Sequence, residues 1–73
     1  MASLDDKKFL QRLGERVRKR REERGLTQQQ LGDQCDLHRT FIGSVERGER
    51  NVSVLNVRRL AVVLRTTPAE LLG

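Results

Sequence analysis

Residues 27–47, TQQQLGDQCDLHRTFIGSVER, constrain this chain most, because two short amphipathic patterns meet there at a break too tight for anything but a corner. Thr27 offers a hydroxyl to cap a helix starting at Gln28, and Gln30, three positions on, can reach back to the Thr27 amide as the other half of a capping box. Leu31 and Cys35 are four apart and share one face, which leaves Gln28, Gln29, Asp33 and Gln34 outside. The pattern stops at Cys35-Asp36-Leu37, where Asp36 is among the few non-glycine residues that tolerate the left-handed backbone of a sharp turn. A second pattern begins at His38, with Phe41, Ile42, Val45 and Glu46 inward and Arg39, Thr40, Gly43, Ser44 and Arg47 outward.

The flanks complete an all-α chain. Ser3 or Asp5 can cap a long first helix that runs to about Arg24 and stops at Gly25, with Met1 to Leu4 loose before it. Leu10, Leu13 and Val17 give this helix its apolar stripe, extended by Phe9, and its acids and bases divide between its ends as the helix dipole favours. After the second short helix come the loop Gly48-Glu49-Arg50-Asn51-Val52 and a fourth helix over VLNVRRLAVVLR, capped by Ser53, with Val57, Leu60, Ala61 and Leu64 on its core face. Thr67-Pro68-Ala69-Glu70 supplies an N-cap, a proline at the first helical position and a capping-box glutamate, so a fifth helix carries Leu71 and Leu72. No segment alternates as a strand does. The expectation is a single domain over residues 1–73 with five helices, residues 1–4 being disordered.

Two charges interrupt the apolar stripes. Stepping by fours from Leu13 and Val17 reaches Arg21, and stepping by four from Ile42 reaches Glu46. Each would be costly alone in a core; paired, they can form a planar bidentate contact between the first and third helices, the alternative being two side chains that snorkel to solvent.

Seventy-three residues bury a small share of their surface, so the core is either economical or completed by a second subunit. Val54, Leu55, Val62 and Val63 with Leu71 and Leu72 exceed what two short helices need for one small core, and a symmetric homodimer would cover that flank. The net charge of +5 favours a polyanionic partner, nucleic acid first and an acidic membrane surface second, and the two short helices meeting at Asp36 narrow that to double-stranded DNA. No apolar run approaches the roughly 18 residues of a membrane span, so no membrane partner and a bacterial cytoplasmic location are expected. One cysteine, Cys35, excludes an internal disulfide. One histidine, one cysteine and scattered carboxylates make neither a nucleophile with its base nor a four-ligand metal set, so no enzyme, cofactor or metal is expected.

Thr27-Gln28 followed by Leu31, then Ile42, Val45, Glu46 and Gly48, resembles the Cro and phage-repressor helix-turn-helix family, the xenobiotic-response-element type, over roughly residues 10 to 72. Within it, residues 39–61, RTFIGSVERGERNVSVLNVRRLA, are most similar to the controller proteins of restriction-modification systems. The resemblance implies a five-helix lambda-repressor-like domain with its helix-turn-helix at helices 2 and 3, the same Arg21–Glu46 bridge, and a homodimer on a palindromic operator. Two departures stand out. Asp36 replaces the family's glycine or other small turn residue, and His38 stands where many controllers have an aspartate cap, which predicts a weaker cap.

A reading helix in the major groove needs long polar side chains outward near its start and small ones where it nears the bases. Arg39, Thr40, Gly43 and Ser44 fit that description: Arg39 can grip guanine by two parallel hydrogen bonds, Thr40 can meet thymine or a phosphate, Gly43 lets the helix sink, and Ser44 is a secondary reader. Gln28, His38, Arg47, Arg50 and Asn51 are assigned to the DNA backbone, Gln28 at a helix start and Arg50 and Asn51 beyond the reading helix. Resemblance to phage repressors further implies a contact of Gln29 and Asp33 with the polymerase sigma subunit. A phage-type repressor, an antitoxin on the same fold, and a protein-interaction adaptor without DNA binding remain the alternatives.

Overall fold

Each helix begins on a side chain placed to receive it. In the computed structural model, which describes residues 3–73, Ser3 opens α1 (Leu4–Glu23), Thr27 opens α2 (Gln28–Cys35), His38 opens α3 (Arg39–Glu46), Ser53 opens α4 (Val54–Val63) and Thr67 opens α5 (Pro68–Leu72). The described residues contain no strand, as expected. The Ser3 hydroxyl accepts from the Asp6 amide at 3.1 Å and the Asp6 carboxylate accepts from the Ser3 amide at 3.3 Å. This capping box orders Ser3 and Leu4, which the sequence suggested would be loose; Met1 and Ala2 lie outside the described residues. The Thr27–Gln30 box forms as predicted, at 3.0 and 2.9 Å.

The predicted box at α5 forms only by half. Thr67 accepts from the Glu70 amide at 3.1 Å, but the Glu70 carboxylate turns to the Thr66 hydroxyl at 2.6 Å and to the Arg20 guanidinium at 3.0 Å, tying α5 to α1. The chain enters this arrangement through a reversal. α4 ends at Val63, two residues before its predicted end, and Arg65 takes a left-handed conformation at φ 57 while the Thr66 amide donates to the Ala61 carbonyl at 3.0 Å. Pro68 holds Thr67 extended, so the helix has to close before it.

The core draws Leu13 and Val17 from α1, Leu31 and Cys35 from α2, Ile42 and Val45 from α3, Val57, Leu60 and Ala61 from α4 with Leu64 at its cap, and Leu71 from α5. Leu71 is only 1% exposed, so it is not free for a dimer flank, and Val63 is half-buried against the same core. The reversal at Arg65 accounts for Leu71 by folding α5 back over α4 and α1, whereas Val63 lies beside Gln34 and Cys35 of α2. Phe9 also departs from expectation: nearly half of it is exposed, because α1, 20 residues or about 30 Å long, outruns the eight-residue α3 and the five-residue α5 packed on it.

α1 and α3 cross at Gly14. A Cβ there would touch the Val45 carbonyl and lie 2.6 Å from the Glu46 carbonyl oxygen. Glycine inside a helix costs up to about 1 kcal/mol relative to alanine, and here it allows backbone-on-backbone approach that no other residue permits. The corner between α2 and α3 falls at Asp36, whose φ of 59 and ψ of 42 are the left-handed conformation its position demands. The Leu37 amide donates to the Gly32 carbonyl at 2.8 Å and closes the turn.

Candidate nucleic-acid interface

α3 is oriented from both ends of the helix-turn-helix. At its start, His38 Nδ1 accepts from the Thr40 amide at 3.1 Å and lies 2.7 Å from the Thr40 hydroxyl. The imidazole therefore does cap α3, contrary to its poor standing as a cap, because an unprotonated Nδ1 offers the same lone pair as an aspartate oxygen. The ring proton then sits on Nε2, a donor on an exposed side chain.

At the end of α3, Arg21 and Glu46 form the bidentate pair expected from their stripe positions. Arg21 Nε donates to one Glu46 oxygen at 2.7 Å and an Nη to the other at 3.0 Å, while the second Nη donates to the Leu26 carbonyl at 2.9 Å. The side chains are 12% and 4% exposed. The Glu46 hydrogen bonds hold the Arg21 guanidinium pKa above its ordinary value, against the opposing effect of burial. Gln28 Nε2 donates to the same Glu46 carboxylate at 3.2 Å. The head of the first residue of α2 is thus fixed by the last residue of α3.

Gln28, Arg39, Thr40, Gly43 and Arg47 line one shallow concavity. A Cβ at Gly43 would lie 3.2 Å from an Arg47 Nη and 3.4 Å from the Gln28 amide oxygen, so the two heads close over this glycine, which is buried beneath them rather than turned to solvent as its place on the outward stripe suggests. Arg39 donates to the Gln29 amide oxygen at 3.4 Å. Arg47 pairs with Glu49 at 3.1 Å on an exposed surface, where such pairs hold a side chain only weakly. Arg50 and Asn51 are exposed beyond the helix. The concavity gathers two guanidinium groups, an amide and a hydroxyl from α2, α3 and its C-cap, groups suited to an anionic backbone and to base edges.

Ser44 does not belong to that face. It is 9% exposed and donates its hydroxyl to the Phe41 carbonyl at 2.7 Å, because the loop after α3 folds back over it: the Glu49 amide donates to the Ser44 carbonyl at 3.0 Å. The expected secondary reader is thereby withdrawn from solvent. Phe41 is half-buried, and its ring carries the Arg50 guanidinium carbon 5.3 Å from the centroid.

On α2, Gln29 and Asp33 are exposed, the latter beside Gly32, Asp36, Leu37 and His38. On the far side of α2, a groove runs between Gln34, Asp36, Arg58 and Arg59, with Leu55 and Val62 exposed along it. Cys35 forms part of its floor, and burial pushes the thiol up to about 11. Among the described residues no helix is long and apolar enough to cross a membrane, and no group of three or more His, Cys, Asp or Glu side chains gathers to hold a metal.

With this geometry in place, comparison with known proteins is specific. The helix-turn-helix family model matches residues 17–71, more than half of the chain. The control protein C.BamHI of Bacillus amyloliquefaciens is 42% identical over 60 residues, covering 81% of this chain and 74% of its own length. The control protein C.SmaI of Serratia marcescens is 48% identical over 60 residues, covering 82% and 71%. The crystal structure of the restriction-modification controller protein C.AhdI of Aeromonas hydrophila superposes with a TM-score of 0.82 at 44% identity, over 85% of this chain and 94% of that one.

Proposed function

Since the chain belongs to the helix-turn-helix family of DNA-binding transcription regulators, alongside the restriction-modification control proteins, we propose that it is itself such a controller, a homodimer on a palindromic operator in the bacterial cytoplasm. The carrying observation is the convergence of Gln28, Arg39, Thr40, Gly43 and Arg47 on one concave face that runs along α3 and the start of α2. In this reading Arg39 and Thr40 read base edges, and Gly43 gives the Gln28 and Arg47 heads room to lie close against α3 beside them. Gln28, His38, Arg47, Arg50 and Asn51 hold the sugar-phosphate backbone. The fixed head of Gln28 supports its assignment, since its remaining amide proton is aimed without further ordering.

The dimer reading rests on Val54, Leu55, Val62 and Leu72, all exposed. The groove beside them carries Asp36 opposite Arg58 and Arg59, so a two-fold partner would meet apolar with apolar and acid with base. Two α3 helices about 34 Å apart would then face successive major grooves. The exposed Asp33, with Gln29, is the surface available for a polymerase sigma contact.

Arg39→Ala tests the function directly. Against a duplex selected from a random library on the wild-type protein, the variant should lose about 1–3 kcal/mol, and far less on unselected DNA. Equal losses on both would reduce Arg39 to a phosphate contact, and failure to select any duplex would remove the regulator reading.

A further inference from the structure

We propose that Ser44 is a positioning residue for Arg50, which it holds with the Phe41 ring so that the guanidinium is set in place before DNA arrives. The inference rests on the reading of Arg50 as a DNA contact. A serine hydroxyl has one proton, and that of Ser44 is given to the Phe41 carbonyl at 2.7 Å. Only its lone pairs remain, and the donor that takes them is Arg50 Nε at 3.3 Å. Ser44 therefore has nothing to donate to a phosphate, which is an acceptor only.

The second restraint is independent of the first. The Arg50 guanidinium carbon lies 5.3 Å from the centroid of the Phe41 ring, within the range of a cation–π contact. One hydrogen bond at Nε and one cation–π contact restrain the guanidinium at two points. Among the described residues its two Nη groups have no protein acceptor, so the fork is presented to solvent with its donors free. An arginine in the loop after α3 would otherwise sample many rotamers and lose that freedom on binding; holding it beforehand removes part of the cost. The loop geometry favours this, since the Glu49 amide is itself bonded to the Ser44 carbonyl.

The test is a double-mutant cycle by fluorescence anisotropy on the library-selected duplex, with Ser44→Ala, Arg50→Ala and the double variant, over a range of salt. Ser44→Ala should weaken binding by about three- to tenfold, the effect of one modest hydrogen bond. It should leave the salt slope unchanged because the Arg50 charge remains. In the Arg50→Ala background it should have no further effect, and Phe41→Leu should behave as Ser44→Ala does. In the free protein, the Arg50 Nε–Hε resonance should be sharp in the wild type and lost to exchange in Ser44→Ala, a change that a structural role alone would not produce at unaltered melting temperature. Equal loss from Ser44→Ala in both backgrounds, or none in either, overturns the proposal. Wild-type binding untouched by Arg50→Ala overturns it while leaving the regulator reading intact. If no duplex can be selected, the regulator reading fails first, and the resonance alone decides whether Ser44 restrains Arg50.

Discussion

Replacing Glu46 with alanine removes one carboxylate and strands three donors. Arg21 loses the acceptors of its Nε and one Nη, keeping the Leu26 carbonyl, and Gln28 loses the acceptor of its amide. Breaking a buried ion pair by deleting one partner costs roughly 3–5 kcal/mol, because the remaining charge is left desolvated. The 12% exposure of the Arg21 side chain lets some water reach it, which places the expected loss near the lower end, about 3 kcal/mol. A domain of this size has a total stability of about 4–11 kcal/mol at the usual value per residue, so the variant should be marginal. Urea denaturation followed by far-UV circular dichroism measures it: with a slope of about 1 kcal/mol per molar for so small a chain, the midpoint should fall by about 3 M. Arg21→Met combined with Glu46→Leu should recover most of that loss, since an apolar pair of similar volume leaves no orphan charge. A loss below about 1 kcal/mol in Glu46→Ala would show that the pair behaves as a surface bridge and would refute the reasoning.

Val62→Glu places a charge on a side chain that is 70% exposed in the single chain, so the fold should keep its stability within about 0.5 kcal/mol while sedimentation shows the monomer and operator binding weakens. An unfolded variant would put Val62 in the core, and a monomeric wild type at tens of micromolar, roughly, would end the preformed-dimer reading. Asp33→Asn should spare operator binding and lower activated transcription in a reporter strain; unchanged transcription would remove the sigma contact. For Cys35, burial pushes the thiol up to about 11, so iodoacetamide at pH 8 should label the folded chain far more slowly than the urea-unfolded one, and equal rates would contradict its burial. The sign of the linked effect follows: the folded pKa lies above the unfolded one, so stability is full below about pH 9 and declines as the pH rises through 9 to 11.

The parts of this fold that follow local rules were legible in the chain. Thr27 with Gln30, Ser53 and Thr67 announced helix starts because a hydroxyl three residues before its target amide needs no tertiary context. Arg21 and Glu46 betrayed their pairing because a charge on an apolar stripe requires a partner. What escaped depended on distant chain. Helical periodicity turns Ser44 outward together with Thr40 and Arg47, but it carries no notice that residues 48–52 fold over it. Leu71 is buried by a reversal at Arg65, a residue type that seldom takes positive φ, so no turn signal marked the place. His38 was undervalued because an imidazole caps only in the tautomer with a free Nδ1, a choice made by the Thr40 amide in the folded state.

The same carboxylate that secures the fold also orients the face proposed to meet DNA. Glu46 accepts from Arg21 on α1 and from Gln28 on α2 while standing at the end of α3, so one side chain sets the mutual position of all three helices. An apolar pair could hold α1 against α3 equally well, since a buried ion pair is not by itself a gain in stability. It could not accept the Gln28 amide. The Arg21→Met and Glu46→Leu double variant therefore separates the two roles: with stability restored, operator affinity should still fall, and Gln28→Ala should cost that variant less than it costs the wild type. If affinity returned together with stability, Glu46 would serve the core alone, and the head of Gln28 would reach its phosphate without help from the ion pair.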